Sequence, residues 1–222
     1  MTELRQSSIH LVVFDLDGTL VDSRRDIADS ANDTLVAYGV GPLSEQAIGG
    51  MVGDGAPVLV ARAFAAAGAE KPADALERFL TIYDERLLDH TKPYPGIPNV
   101  LCELGTRARL AVLTNKPLEP TRRILDGLDL TRYFGPKWVV AGDGPFARKP
   151  DPAGLQHLIS CAGASASATV LVGDSAIDWQ TGLRANVKVC VARYGFGGDG
   201  FVQSLPADAW AIDSPGQLLV HL

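Results

Sequence analysis

Leu11-Val12-Val13-Phe14-Asp15-Leu16-Asp17-Gly18-Thr19-Leu20 is the stretch on which the fold turns. Its apolar half, rich in Val and Leu, reads as a strand buried on both faces, as in a parallel sheet. Two carboxylates then appear two residues apart, followed by a glycine and a threonine. Side chains alternate along a strand, so Asp15 and Asp17 start on the same side. Gly18 lets the chain leave in a conformation that other residues resist. Acids crowded at a strand end repel one another unless a cation or a shared proton lies between them. The pattern therefore points to a metal-assisted site with one acid left to react.

Outward from this stretch, four similar runs follow at Arg109–Leu113, Trp138–Ala141, Thr169–Val172 and Val187–Val191, with a weaker one at Ala209–Ile212. Helix-like stretches lie between them at Glu119–Gly127, Pro152–Ala162 and Ile177–Ala185. Strand alternating with helix predicts an α/β fold with a Rossmann-like, mostly parallel sheet and right-handed crossovers. Ligands of such sheets bind beyond the carboxyl ends of the strands. From Asp22 to about Thr91 the rhythm breaks, and only Ala-rich helical patterns occur, at Arg24–Tyr38, Ala56–Ala67 and Ala73–His90. The expectation is a core domain of residues 1–21 and 92–222, with a small α-helical cap of residues 22–91 inserted after the first strand. The segment Pro93-Tyr94-Pro95-Gly96-Ile97-Pro98 marks the return, because such a run cannot continue a helix. A unit joined through two adjacent linkers can rock over the sheet as a lid.

Composition narrows the field. Of 222 residues, 46% are hydrophobic and 21% charged, enough for a packed core and too few charges for disorder. A net charge of −6 argues against nucleic acid as a partner. Met1–Gln6 carries no basic stretch followed by an apolar run, and no later run approaches the roughly 20 residues a membrane span needs. A cytoplasmic protein with no membrane partner is expected, as a monomer or homodimer. Cys102, Cys161 and Cys190, lacking CxxC spacing, read as buried reduced thiols. His10, His90, His157 and His221 show no ligand spacing.

Four pieces end or follow strands: Asp15/Asp17, then Thr114-Asn115-Lys116, then Arg148-Lys149-Pro150, then Gly173-Asp174-Ser175 with Asp178 one helical turn on. Singly, each has a plainer use: turn chemistry for Asp15 and Asp17, a strand exit for Thr114-Asn115, a solvated lysine at 149, a helix cap at Asp174. Asp22 suits either a helix cap or a place at the site. Gathered at one sheet edge, the pieces offer carboxylates, a hydroxyl and a point positive charge. Hard oxygen ligands without His or Cys suit Mg²⁺, which also takes a phosphate oxygen. A hydroxyl, N–H groups and a Lys suit phosphoryl oxygens. Two unit charges about 4 Å apart at an effective dielectric near 20 interact by roughly 4 kcal/mol. A phosphate dianion facing several carboxylates therefore needs a metal as well as a lysine.

In order and spacing these pieces resemble the four motifs of the haloacid dehalogenase superfamily of phosphohydrolases, and the resemblance spans nearly the whole chain. It implies that Asp15 is the nucleophile of an aspartyl-phosphate mechanism and Asp17 the general acid and base. It implies that Thr114, Asn115 and Lys149 form the phosphate-binding set. Asp15, the main-chain carbonyl of Asp17 and Asp174 would bind Mg²⁺, with Asp178 supporting them. Asp17 separates the chain from dehalogenases, in which that acid is missing. Phosphonate-cleaving relatives use a cap lysine, whereas Lys71 and Lys92 here stand beside prolines. A receiver domain also phosphorylates an Asp, but on a later strand than its paired acids, and it has no place for a helical insertion.

Within the superfamily, Val52-Gly53-Asp54-Gly55-Ala56-Pro57, Lys149-Pro150-Asp151-Pro152 and Arg193-Tyr194-Gly195 resemble stretches of bacterial phosphoglycolate phosphatases. There the place of Asp54 is often filled by Asn. Gly53, Asp54 and Gly55 would form a specificity loop on the cap, since a Gly-rich turn opening a helix brings N–H groups near a small anion. The expected partner is a small phosphorylated metabolite, with 2-phosphoglycolate first. The alternatives are a sugar phosphate, a nucleotide or pyrophosphate, or the substrate of a sugar-phosphate mutase.

Overall fold

Leu11–Phe14 form strand β1, and all four side chains are buried. Their alternation sends Val12 and Phe14 into one core and Leu11 and Val13 into another, on opposite faces of the sheet. The computed structural model describes residues 9–197, 201, 203–207 and 209–222. Met1–Gln6, read above for a targeting signal, lie outside the described residues.

After β1 come β2 (Val21–Asp22), helices α1 (Arg24–Ala37), α2 (Glu45–Gly49), α3 (Ala56–Ala66) and α4 (Ala75–Glu85), and β3 (Lys92–Pro93). Next are α5 (Ile97–Leu104), β4 (Arg109–Leu113), α6 (Leu118–Gly127), β5 (Val139–Val140) and α7 (Ala153–Ala162). The chain closes with β6 (Thr169–Gly173), α8 (Ala176–Arg184), β7 (Lys188–Ala192), β8 (Ala211–Ile212) and α9 (Leu218–His221). The main sheet has the order β5-β4-β1-β6-β7-β8, and its neighbours pair in parallel. The α/β expectation holds.

Strand β1 lies between β4 and β6, so successive connections leave it in opposite directions. That reversal opens a crevice beyond the strand ends. One face of the sheet packs on Ile97, Val100, Leu101 and Leu104 of α5 and Ile124 of α6. The other packs on Leu155 and Leu158 of α7. Burying each such side chain contributes about 1.5–3 kcal/mol.

Helix α5 begins within the segment read above only as a proline-rich return and runs on past it. Pro98 sits in the helix's first turn, where its missing N–H costs nothing. The inward positions 97, 100, 101 and 104 leave Cys102 facing out. The expectation of buried thiols fails there and at Cys161, which is also exposed; Cys190 is buried. No helix among the described residues is long and apolar enough to cross a membrane.

Helices α1–α4 fall between β2 and β3, which pair as a two-stranded antiparallel ribbon. Asp26, in the first turn of α1, is buried and holds the return of the chain. Its carboxylate accepts from the N–H of His90 at 3.0 Å and of Thr91 at 2.7 Å, and from the Thr91 hydroxyl at 2.6 Å. Asp26→Ala would leave those donors without their acceptor. We expect a loss of about 3 kcal/mol, or roughly 6–12 °C in Tm for a domain of this size. Thermal unfolding by circular dichroism checks it, and an unchanged Tm would refute the clasp.

Candidate active site

Asp15 directly follows β1, Thr114 follows β4 and Asp174 follows β6, so three strand ends converge on one point. Lys149 reaches that point from the loop before α7. Its ammonium lies 2.8 Å from Asp15 Oδ1 and 2.6 Å from Asp178 Oδ1. Asp15, Asp174 and Asp178 are buried and each offers an oxygen within 4.8 Å of the others. Asp178 belongs to a capping box at the start of α8: its Oδ2 accepts from the Ser175 N–H and hydroxyl, and Ser175 Oγ accepts from the Asp178 N–H. Its two oxygens are thereby fixed, one by the helix start and one by Lys149.

Asp174 is held by backbone. Its Oδ2 accepts from the N–H groups of Phe196 at 2.7 Å and Gly197 at 3.1 Å, and its Oδ1 from the Thr19 hydroxyl at 3.2 Å. The chain crowds this carboxylate so closely that side chains are excluded. A Cβ at Gly18 would stand 2.3 Å from Asp174 Oδ2, and one at Gly195 2.3 Å from Asp174 Cβ. Gly18 also has φ +86°, in the left-handed region that favours glycine.

Burial dominates the electrostatics. It pushes the Asp15 carboxyl up to about 8, against the pull of Lys149 and with help from Asp178 and Asp174. It pushes Asp174 up to about 7, with Asp178 adding to the rise and the Phe196 and Gly197 N–H groups opposing it. Burial works against the charge of Lys149, yet Asp15 and Asp178 together hold its ammonium above the usual range. Three buried acids thus face one lysine. The all-oxygen, under-neutralised set fits a hard divalent cation, which would supply the missing charge.

Asp17 stands apart from the three clustered acids. Its side chain accepts from Ser23 Oγ at 2.6 Å and pairs with Lys116 Nζ at 3.0 Å. Lys116 in turn donates to the Tyr83 hydroxyl of α4 at 2.6 Å. Burial opposes the charge of Lys116, but Asp17 and Tyr83 outweigh it and raise its pKa. Burial likewise pushes the Tyr83 phenol up to about 12. Neither Lys116 nor Tyr83 was singled out as a site residue: Lys116 was read only as the end of a strand-exit tripeptide, and Tyr83 only as part of a helical pattern.

Thr114 Oγ1 accepts from the Lys116 N–H at 3.2 Å, which leaves its own hydrogen for an acceptor in the cavity it lines. The Asn115 side chain, expected among the phosphate-binding groups, is a brace instead. Its Nδ2 donates to the carbonyls of Gly53 at 2.9 Å and Lys149 at 3.0 Å, and its Oδ1 accepts from the Lys149 N–H at 2.8 Å. This carboxamide has no hydrogen left for a phosphoryl oxygen. Gly53, Asp54 and Gly55 lie over the site, Gly53 near Ser175 and Ile177, Gly55 near Arg148. Asp54 pairs with Arg62 at 2.6 Å. Asp22 accepts from the Arg24 N–H at 3.3 Å at the start of α1, a capping role.

The cavity has two lobes that share Asp15, Asp17, Val52 and Gly53. One, walled by Ile27, Leu59, Phe79 and Pro117, contains Lys116, Tyr83 and Thr114. The other contains Asp54, Arg62, Asp174 and Phe196. Asp15, Asp17, Thr114, Lys116 and Asp174 thus line one crevice, with Lys149 paired to Asp15, an arrangement suited to displacement at a phosphoryl group.

Comparison with known proteins agrees with this fold. A phosphoglycolate phosphatase of Rhodospirillum rubrum is 44% identical over 194 residues, covering 83% of this chain and 80% of that one. A phosphoglycolate phosphatase of Pseudomonas fluorescens Pf0-1 is 37% identical, over 84% of this chain and 70% of that one. The crystal structure of a predicted phosphoglycolate phosphatase from Haemophilus somnus 129PT superposes with a TM-score of 0.88 at 30% identity, covering 98% of this chain and 99% of that one. The family model for haloacid dehalogenase-like hydrolases matches residues 12–192, a span that includes every acid of the cluster and Lys149. The chain belongs to the haloacid dehalogenase-like hydrolase family.

Proposed function

We propose that this hydrolase is a Mg²⁺-dependent phosphatase acting on a small phosphate monoester, first of all 2-phosphoglycolate, through an aspartyl-phosphate. The observation that carries the reading is Lys149 bridging Asp15 and Asp178 at 2.8 and 2.6 Å, in one cluster with Asp174, while Asp15 and Asp174 line the crevice. Lys149 holds one oxygen of Asp15, and the carboxylate attacks phosphorus as the ester P–O bond breaks. Asp17 delivers its proton to the departing alkoxide, then removes one from the water that cleaves the acyl phosphate and restores Asp15. The Lys149 ammonium and the Thr114 hydroxyl receive the phosphoryl oxygens.

Asp15, Asp174 and the main-chain carbonyl of Asp17 would hold Mg²⁺, with Asp178 orienting Lys149. The ion, when bound, offsets the negative charge that otherwise keeps a phosphate dianion from three acids. The helical segment 22–91 serves as a cap, its Gly53–Gly55 loop closing the crevice through the Asn115 brace. The names of the curated relatives support 2-phosphoglycolate as the substrate.

A kcat/KM screen over phosphorylated metabolites tests the assignment. We expect 2-phosphoglycolate to lead glucose 6-phosphate, AMP and pyrophosphate by at least about tenfold, or roughly 1.4 kcal/mol of transition-state binding. A hexose phosphate or nucleotide in first place would displace it.

A further inference from the structure

We propose that Lys116 and Tyr83 form the leaving-group subsite, which selects phosphate esters of 2-hydroxycarboxylates by receiving the carboxylate next to the ester oxygen. The inference rests on Asp17 as the group that faces that oxygen. Lys116 Nζ is 3.0 Å from Asp17 Oδ2, so a group bound there lies within a bond or two of the ester oxygen. An ammonium carries three N–H bonds. One N–H forked between Asp17 Oδ1 at 3.2 Å and Oδ2 at 3.0 Å, and a second to the Tyr83 oxygen at 2.6 Å, leave a third for an acceptor in the cavity that Lys116 lines. The Tyr83 oxygen accepts from Lys116, so its own O–H is free to donate, and Tyr83 lines the same lobe.

The rest of that lobe argues for one polar end on a short chain. Ile27, Leu59, Phe79, Pro117 and Pro120 offer no donor to the hydroxyls of a sugar. The opposite lobe is the rival receptor, but Arg62 there is already matched by Asp54 at 2.6 Å and is about half exposed. A carboxylate arriving beside Asp54 would meet a like charge, whereas beside Lys116 it meets a buried cation and a hydroxyl, because Asp17, the partner of Lys116, carries the proton for the leaving group when the ester is bound.

The test compares kcat/KM for 2-phosphoglycolate with that for ethyl phosphate, which has a methyl group in place of the carboxylate. The wild-type ratio should be large. Lys116→Met should lower it about ten- to a hundredfold, the usual effect of one hydrogen bond to a charged partner. Tyr83→Phe, a gentler change that keeps the ring packed, should lower the same ratio several-fold. Calorimetric binding of 3-phosphonopropionate against propylphosphonate provides a readout without turnover, and its preference should shrink in step. If Lys116→Met slows both esters equally, or the wild-type shows no preference for the carboxylate, the subsite is overturned while the phosphatase reading stands. If the wild-type hydrolyses neither these esters nor p-nitrophenyl phosphate, the phosphatase reading falls and this inference falls with it.

Discussion

Asp15→Asn is expected to lower kcat for every phosphate ester by about four to six orders of magnitude, the scale seen when an enzymatic nucleophile is removed. The amide keeps the shape of the carboxyl and can still accept from Lys149, so the loss is one of nucleophilicity. The fold should not suffer. Burial and two neighbouring acids hold the Asp15 carboxyl up to about 8, so its charge is a burden to the folded chain. A neutral side chain removes that burden, and Tm at pH 8 in metal-free buffer should stay level or rise. Steady-state phosphate release together with thermal unfolding separates the two effects. Residual turnover above about a tenth of wild type, set against the loss expected for a nucleophile, would remove Asp15 from that role.

Chelation of divalent cations should be almost as severe. Dialysis against EDTA is expected to abolish turnover, and added Mg²⁺ to restore it; full activity after rigorous removal would leave the proposed chemistry untenable. The same site predicts a stability signature that needs no substrate. Asp15 and Asp174 are raised from 3.8 to about 8 and about 7 in the fold. Between about pH 4 and 8 the metal-free native chain therefore binds protons that the unfolded chain has released, and stability falls as pH rises across that window. Mg²⁺ should oppose the fall. At a hundred times its Kd a bound ion contributes about 2.7 kcal/mol, or roughly 5–10 °C for a chain of this size, and less at pH 5 where the acids are protonated. Calorimetric Tm values at pH 5 and 8, with and without Mg²⁺, measure this directly; an equal rise at both would contradict it.

The strands were readable because parallel strands covered on both faces must be apolar throughout, as Leu11–Phe14 and Thr169–Gly173 are. The reading of α4 as running on from Glu85 to His90 failed where the chain turns to meet Asp26, a contact 64 residues apart in sequence. Ribbon β2–β3 was invisible because two residues a strand leave no periodicity. Helix α5 was hidden by prolines that mark a helix start as readily as a stop.

At the site, the acids and Lys149 were found because motif spacing marks them. The groups that hold Asp174 were mostly missed, since main-chain N–H groups of Phe196 and Gly197 leave no side-chain trace. Lys116 and Tyr83 come from elements 33 residues apart, and only packing joins them. Asn115 sat at a motif position yet turned inward, because the Lys149 main chain and the Gly53 carbonyl lay within its reach.

That single carboxamide bears on how the enzyme resets between rounds. Asn115 grips both main-chain groups of Lys149 and, separately, the carbonyl of Gly53. In the proposed cycle, a loop lifting to release product would have to break only the Gly53 attachment. The ammonium would keep its register, and the next molecule of ester would meet a charge already in place.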